Sequence, residues 1–146
     1  MRTTLFSVKA EYACIAMLEL AARHSDPQPV RLKAIADAHG LKPRFLVQIL
    51  LQLKGAGLVL TTRGASGGYH LARPPEQIAL AEVLNVIDRP ERAAAGRAAA
   101  PPSALVQALR GVWREIQDAQ RRILESTTLA ELVRRSQENY ELTYQI

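Results

Sequence analysis

The chain has few of the residues on which catalysis, metal binding and disulfide scaffolds depend. One cysteine, Cys14, occurs in 146 residues, so no intramolecular disulfide can form and a reducing compartment is the natural setting. Histidines are three, and neither His24 nor His39 has a further ligand at metal-binding spacing, so no metal site is expected. No nucleophile, histidine and carboxylate share a helical or strand register, which argues against an enzyme. Aromatic residues make up 5% of the chain, and alanine and aliphatic residues take their place, as in helices packed at short range. No apolar run approaches the length of a membrane span. The opening MRTTLFSVKAEYA lacks the charge, apolar core and cleavage site of a signal peptide, and a cytoplasmic protein without membrane contact is expected.

Acid is the absence that says most. No Asp or Glu occurs between Asp37 and Glu76, while Leu41 to Arg73 holds five basic residues: Lys42, Arg44, Lys54, Arg63 and Arg73. A surface that approaches phosphates cannot carry carboxylates, because each would repel the polyanion. Residues 1–76 contain ten Lys/Arg against five Asp/Glu, and residues 77–146 contain nine of each, so the net charge of +5 lies wholly in the first half. A membrane surface would also attract that charge, but it calls for a basic amphipathic helix, and none is present.

The acid-free stretch has the pattern of a reading head. From Pro43, suited to a first helical turn, Leu46, Ile49, Leu50 and Leu53 recur at helical spacing. Arg44, Gln48 and Gln52, four apart, line another face with Val47 beside them. Arg suits guanine, Gln suits adenine, and an aliphatic group suits a thymine methyl. An ordinary amphipathic helix with a solvated polar side is the plainer alternative. Upstream, Leu32, Ile35 and Ala36 form a short stripe ending at Gly40, which completes a helix-turn-helix pattern. Val30-Arg31-Leu32 can add a short strand before it. Downstream, Leu58 to Thr62 and Tyr69 to Arg73 are strand-like and enclose Arg63-Gly64-Ala65-Ser66-Gly67-Gly68, a hairpin whose tip can lie close to phosphates while Arg63 enters a minor groove. A nucleotide-cradling loop would need a Lys-Ser/Thr pair and a following helix, which are missing. The expected DNA contacts are Lys42, Pro43, Arg44, Val47, Gln48 and Gln52 from the helix. The wing adds Arg63, Gly64, Ser66, Gly67, Gly68 and Tyr69.

The remaining chain is helical. Ser7 to about His24 has two apolar stripes, Val8/Tyr12/Ile15/Leu18/Ala22 and Ala10/Cys14/Met17/Ala21, and is expected to be buried on two sides. Cys14 reads as a small buried hydrophobe, since no basic neighbour at helical spacing would activate it as a redox sensor. Ile78 to Ile87 is a short amphipathic helix. Residues 88–102 are rich in Ala, Arg and Pro and read as a flexible linker. From Ser103 to about Glu125, Leu105, Leu109, Val112, Ile116, Ala119 and Ile123 form a heptad seam. That seam can serve an intramolecular core or a homodimer; after a complete winged helix and a linker, a two-fold dimer is the expectation. Thr128 and Glu131 have capping-box spacing ahead of a last short helix. The expected organisation is a DNA-binding domain over 1–87, a linker over 88–102, a dimerisation helix with a short helix over 103–138 and a tail over 139–146. The fold class is mainly α, a winged helix-turn-helix with a small β-wing and a long C-terminal dimerisation helix.

KAEYA at 9–13, IADAHGL at 35–41, FLVQILLQLKGAGLV at 45–59, TRGASGGYHLARPPEQI at 62–78 and LAEL at 129–132 resemble the Rrf-two family of bacterial winged-helix transcriptional regulators. The resemblance spans nearly the whole chain. It implies a sequence-specific regulator, expected to be a repressor, that binds double-stranded DNA as a homodimer on a pseudo-palindromic operator. Cluster-binding members carry three cysteines in the segment matching 88–102, and this chain has none there. Glu11 matches an acidic ligand of some members, but one carboxylate without thiolates cannot hold an iron-sulfur cluster, so no cofactor is expected. Members often have Glu where Val47 stands, so their operator cannot be carried over to this chain. A protein-interaction module is the rival reading, and control by a small-molecule effector or a partner protein is left open.

Overall fold

The computed structural model describes residues 6–88 and 101–144, with side chains as far as Asn139. The first helix, α1 (Val8–Ala22), starts at Ser7, whose Oγ accepts the Ala10 N–H at 3.0 Å and so satisfies one of the amides that a helix start leaves unpaired. The same hydroxyl donates to the Asp88 carboxylate at 2.8 Å. Asp88 thus ties the far end of the domain to the positive end of α1.

Helix α1 is enclosed on two sides, and its deepest face takes in the second expected stripe. Ala10, Met17 and Ala21 of that stripe are buried together with Ala13, Ala16 and Leu20, whereas Val8, Tyr12, Ile15 and Leu18 of the first stripe are half-buried and Ala22 is exposed. Helices α2 (Leu32–His39), α3 (Pro43–Gly55), α4 (Leu80–Ile87) and α6 (Leu129–Tyr144) all pack against it. Tyr12 meets Phe45 of α3 edge-on, with ring centroids 5.3 Å apart, an arrangement that aligns the positive edge of one ring with the face of the other. Glu19 of α1 pairs with His39 of α2 at 2.8 Å.

The wing is an antiparallel hairpin of β1 (Val59–Thr62) and β2 (Gly68–Leu71), paired from Val59 opposite Leu71 to Thr62 opposite Gly68. The short strand expected at Val30-Arg31-Leu32 is reduced to one bridge: Val30 and Tyr69 exchange backbone hydrogen bonds of 3.0 and 2.8 Å. Leu32 already belongs to α2.

Helix α4 begins at Leu80 rather than Ile78, because Ile78 is extended and pairs with the chain leaving α5 (Ala104–Ser126). Leu80 N–H donates to the Thr127 carbonyl and Leu129 N–H to the Ile78 carbonyl, each at 2.9 Å. This two-bond clasp fastens α6 to the segment that opens α4, and Leu129 behind it is fully buried. The Thr128 hydroxyl accepts from Glu131 N–H at 3.1 Å, as the capping spacing predicts. Helix α6 continues to Tyr144, so residues 139–144 of the expected tail are helical. Of the expected linker, 89–100 lie outside the described residues; Asp88 is anchored to Ser7.

Candidate nucleic-acid interface

The turn between α2 and α3 needs a left-handed residue, and Gly40 supplies it at φ 64° and ψ 32°. Leu41 N–H then closes onto the Ala36 carbonyl at 2.9 Å, and Pro43 opens α3, where a missing N–H costs nothing. Leu46, Ile49, Leu50 and Leu53 are fully buried. That orientation turns Lys42, Pro43, Arg44, Val47, Gln48 and Gln52 outward together, and all six are exposed. Leu51 also lies on this face, 61% exposed. The four-residue pattern of Arg44, Gln48 and Gln52 hides it; its angle around the helix would have revealed it.

Among the described residues, none of Lys42, Arg44, Lys54 and Arg63 is paired with a carboxylate, whereas Arg73 binds Glu82. Four of the five basic residues counted in the sequence are therefore available to phosphates, and Arg73 belongs to the fold.

At the wing tip, Arg63, Gly64 and Ser66 are exposed, while Gly67, Gly68 and Tyr69 are half-buried. The last three serve the hairpin itself. A Cβ on Gly67 would lie 2.2 Å from the Thr62 carbonyl oxygen, and one on Gly68 would lie 2.5 Å from that of Val30. Tyr69 holds the Val30 bridge. Arg31, far from the wing in sequence, donates from Nη2 to the Ala65 carbonyl and latches the tip to the start of α2. No sequence signal pointed to this contact, because its acceptor is a backbone oxygen on a loop.

Helix α5 packs against α4 but leaves most of its surface in solvent. None of its residues is buried, and Leu105, Leu109, Val112, Ile116 and Ile123 are all exposed, Leu105 at 84%. Ala119 is half-buried. Val106 and Trp113 are also exposed and widen the apolar surface beyond the seam read from the sequence.

A profile of the Rrf2 family, described as iron-dependent transcriptional regulators, matches residues 6–135. The chain belongs to this family. It is 36% identical over 129 residues to the HTH-type transcriptional regulator CymR of Bacillus subtilis, a match covering 86% of this chain and 87% of that protein. A Mycobacterium tuberculosis protein named as an HTH-type transcriptional regulator is 43% identical over 128 residues, covering 86% of this chain and 79% of its own. Among solved structures, that of T. potens IscR superposes with a TM-score of 0.79 at 32% identity, covering 94% of this chain and 91% of that one. The B. subtilis CymR structure, titled as the global cysteine regulator, gives 0.76 at 34% identity and covers 90% and 97%. The protein is a DNA-binding transcriptional regulator with the winged-helix fold.

The iron in the family's description can be tested against the donors present in this Rrf2 protein. Cys14 is the one thiol in the chain, and no group of three His, Cys, Asp or Glu able to hold a metal occurs among the described residues. Burial, then the charges of Asp88 and Glu11, push the Cys14 thiol up to about 11. A protonated, half-buried thiol is a poor metal ligand and a poor nucleophile. The donor set does not fit an iron-sulfur cluster.

Two outcomes are expected. At pH 8 the native protein reacts with iodoacetamide far more slowly than the urea-unfolded chain, and the native rate climbs as pH rises toward 11; fast native alkylation at pH 8 would show an activated thiolate. Arg31→Ala speeds amide hydrogen exchange over 63–67 while leaving the protection of α1 and α3 unchanged, whereas unchanged exchange at the tip would show that the latch does not restrain it.

Proposed function

We propose that this Rrf2 protein is a cytoplasmic repressor that binds a pseudo-palindromic operator as a homodimer, with α3 in the major groove and Arg63 in the flanking minor groove. The carrying observation is the pairing of two surfaces. One is an exposed helix face with three unpaired cations nearby, Lys42, Arg44 and Lys54, and no acid; the other is a 23-residue helix none of whose residues is fully buried. The first suits a polyanion. The second leaves a continuous apolar stripe in water, and a copy of the same helix covers it without a further partner. Dimerisation then adds the base contacts of two half-sites, which lifts affinity and specificity together. No helix among the described residues is long and apolar enough to cross a membrane.

Arg63→Ala should weaken operator binding and flatten its dependence on salt. Gln48→Ala should instead relax the preference at one base pair by about 1–3 kcal/mol. Equal loss on operator and random DNA would make Gln48 a phosphate contact, and an unchanged Arg63→Ala affinity at every salt concentration would remove the wing from the interface. Leu109→Asp combined with Ile116→Asp should give a folded monomer by sedimentation with little operator affinity. A variant that still sediments as a dimer would place the interface elsewhere.

A further inference from the structure

The exposed face of α3 carries more apolar surface than solvation or phosphate binding requires. Outside α5, the described residues expose three large apolar side chains, Val47, Leu51 and Leu60, and all three belong to the reading helix or the wing. Val47 is 40% and Leu51 61% exposed. At 3.6 residues per turn, Leu51 lies within about 20° of Arg44 around the helix axis, between Val47 and Gln48. It therefore occupies the centre of the face opposite the buried Leu46, Ile49, Leu50 and Leu53. Val47 and Leu51 are one turn apart, with Cβ atoms about 5–6 Å from each other, and make one aliphatic strip bordered by Arg44, Gln48 and Gln52.

The major groove presents one apolar group on its floor, the 5-methyl of thymine. We propose that Val47 and Leu51 form a strip that reads thymine methyl groups, so that this regulator requires T·A pairs at the positions facing the strip in each half-site. The inference rests on the reading that α3 enters the major groove. A thymine methyl gains an apolar contact, and a cytosine in the same place, which has no 5-methyl, does not offer it. The surrounding cations and the lack of any carboxylate favour DNA as the occupant over a second protein surface, and α5 already carries a separate apolar stripe.

The test uses duplexes from the protein's own promoter region, in which each thymine in turn is replaced by deoxyuridine. That change removes the methyl and leaves every hydrogen-bonding group in place. Binding is followed by fluorescence anisotropy with the full-length protein. The wild type should lose about fourfold in affinity per contacted methyl, the equivalent of about 0.8 kcal/mol for one buried methyl-sized group, at one or two positions in each half-site. Val47→Ala and Leu51→Ser, both at exposed sites, should bind the thymine duplex more weakly and lose the thymine/uracil difference at the position each serves. Equal affinity of the wild type for all uracil duplexes, or a uracil penalty that persists in both variants, overturns the strip. A change in oligomeric state of Leu51→Ser on sedimentation also overturns it, by assigning the leucine to a protein contact. A wild type with no preference for promoter over random DNA defeats the major-groove reading itself, an outcome separate from methyl indifference on a preferred site.

Discussion

Helix α1 is thinnest where it is most enclosed, and the rest of the molecule depends on that. Ala10, Ala13 and Ala16 have no exposed surface, and their small side chains let the surrounding helices approach closely. Larger residues at these positions would force the surrounding helices apart. Met17 and Leu20 fill the wider spaces between. The edge-on contact of Tyr12 with Phe45 and the Glu19–His39 pair fix the helix-turn-helix against this column. The placement of the helix-turn-helix therefore depends on the packing of α1 against it.

The same column joins the reading head to the second half of the chain. Ser7 holds Asp88 at the end of α4, and the clasp between Ile78–Leu80 and Thr127–Leu129 returns α6 to α1. Helix α5 leaves between these two fastenings. Its apolar stripe is thus set at a defined place relative to α3, which the proposed two-fold dimer would use to fix half-site spacing.

Local features were legible in the sequence. The buried face of α3, the left-handed Gly40, the Thr128 cap and the seam of α5 each rest on spacing within one element, where helical geometry links position to direction. Contacts between elements were not legible. Arg31 meets a carbonyl 34 positions away, Ser7 meets Asp88 across 81, and Ile78 pairs with a segment it reaches only after α5 has passed. Gly67 and Gly68 read in sequence as places where the backbone can lie close to phosphate, and the structure adds a second constraint, since a Cβ there would meet the Thr62 and Val30 carbonyl oxygens. Leu51 escaped notice because a leucine among leucines reads as core until its angle is measured.

Cys14 illustrates how family membership and chemistry separate. The fold of iron-dependent regulators is present, but burial and the charges of Asp88 and Glu11 push the Cys14 thiol up, and no donor set for a cluster occurs among the described residues. What the chain carries is the winged helix of a DNA-binding transcriptional regulator and an exposed apolar stripe on α5. The most direct test is binding of the purified protein to its own promoter DNA and to random DNA of equal length, at two salt concentrations, with stoichiometry measured. A saturable complex of two subunits per site with at least about a thousandfold preference is the expected result. Weak binding that is equal on both DNAs and disappears as salt rises would contradict the account, leaving only a basic surface.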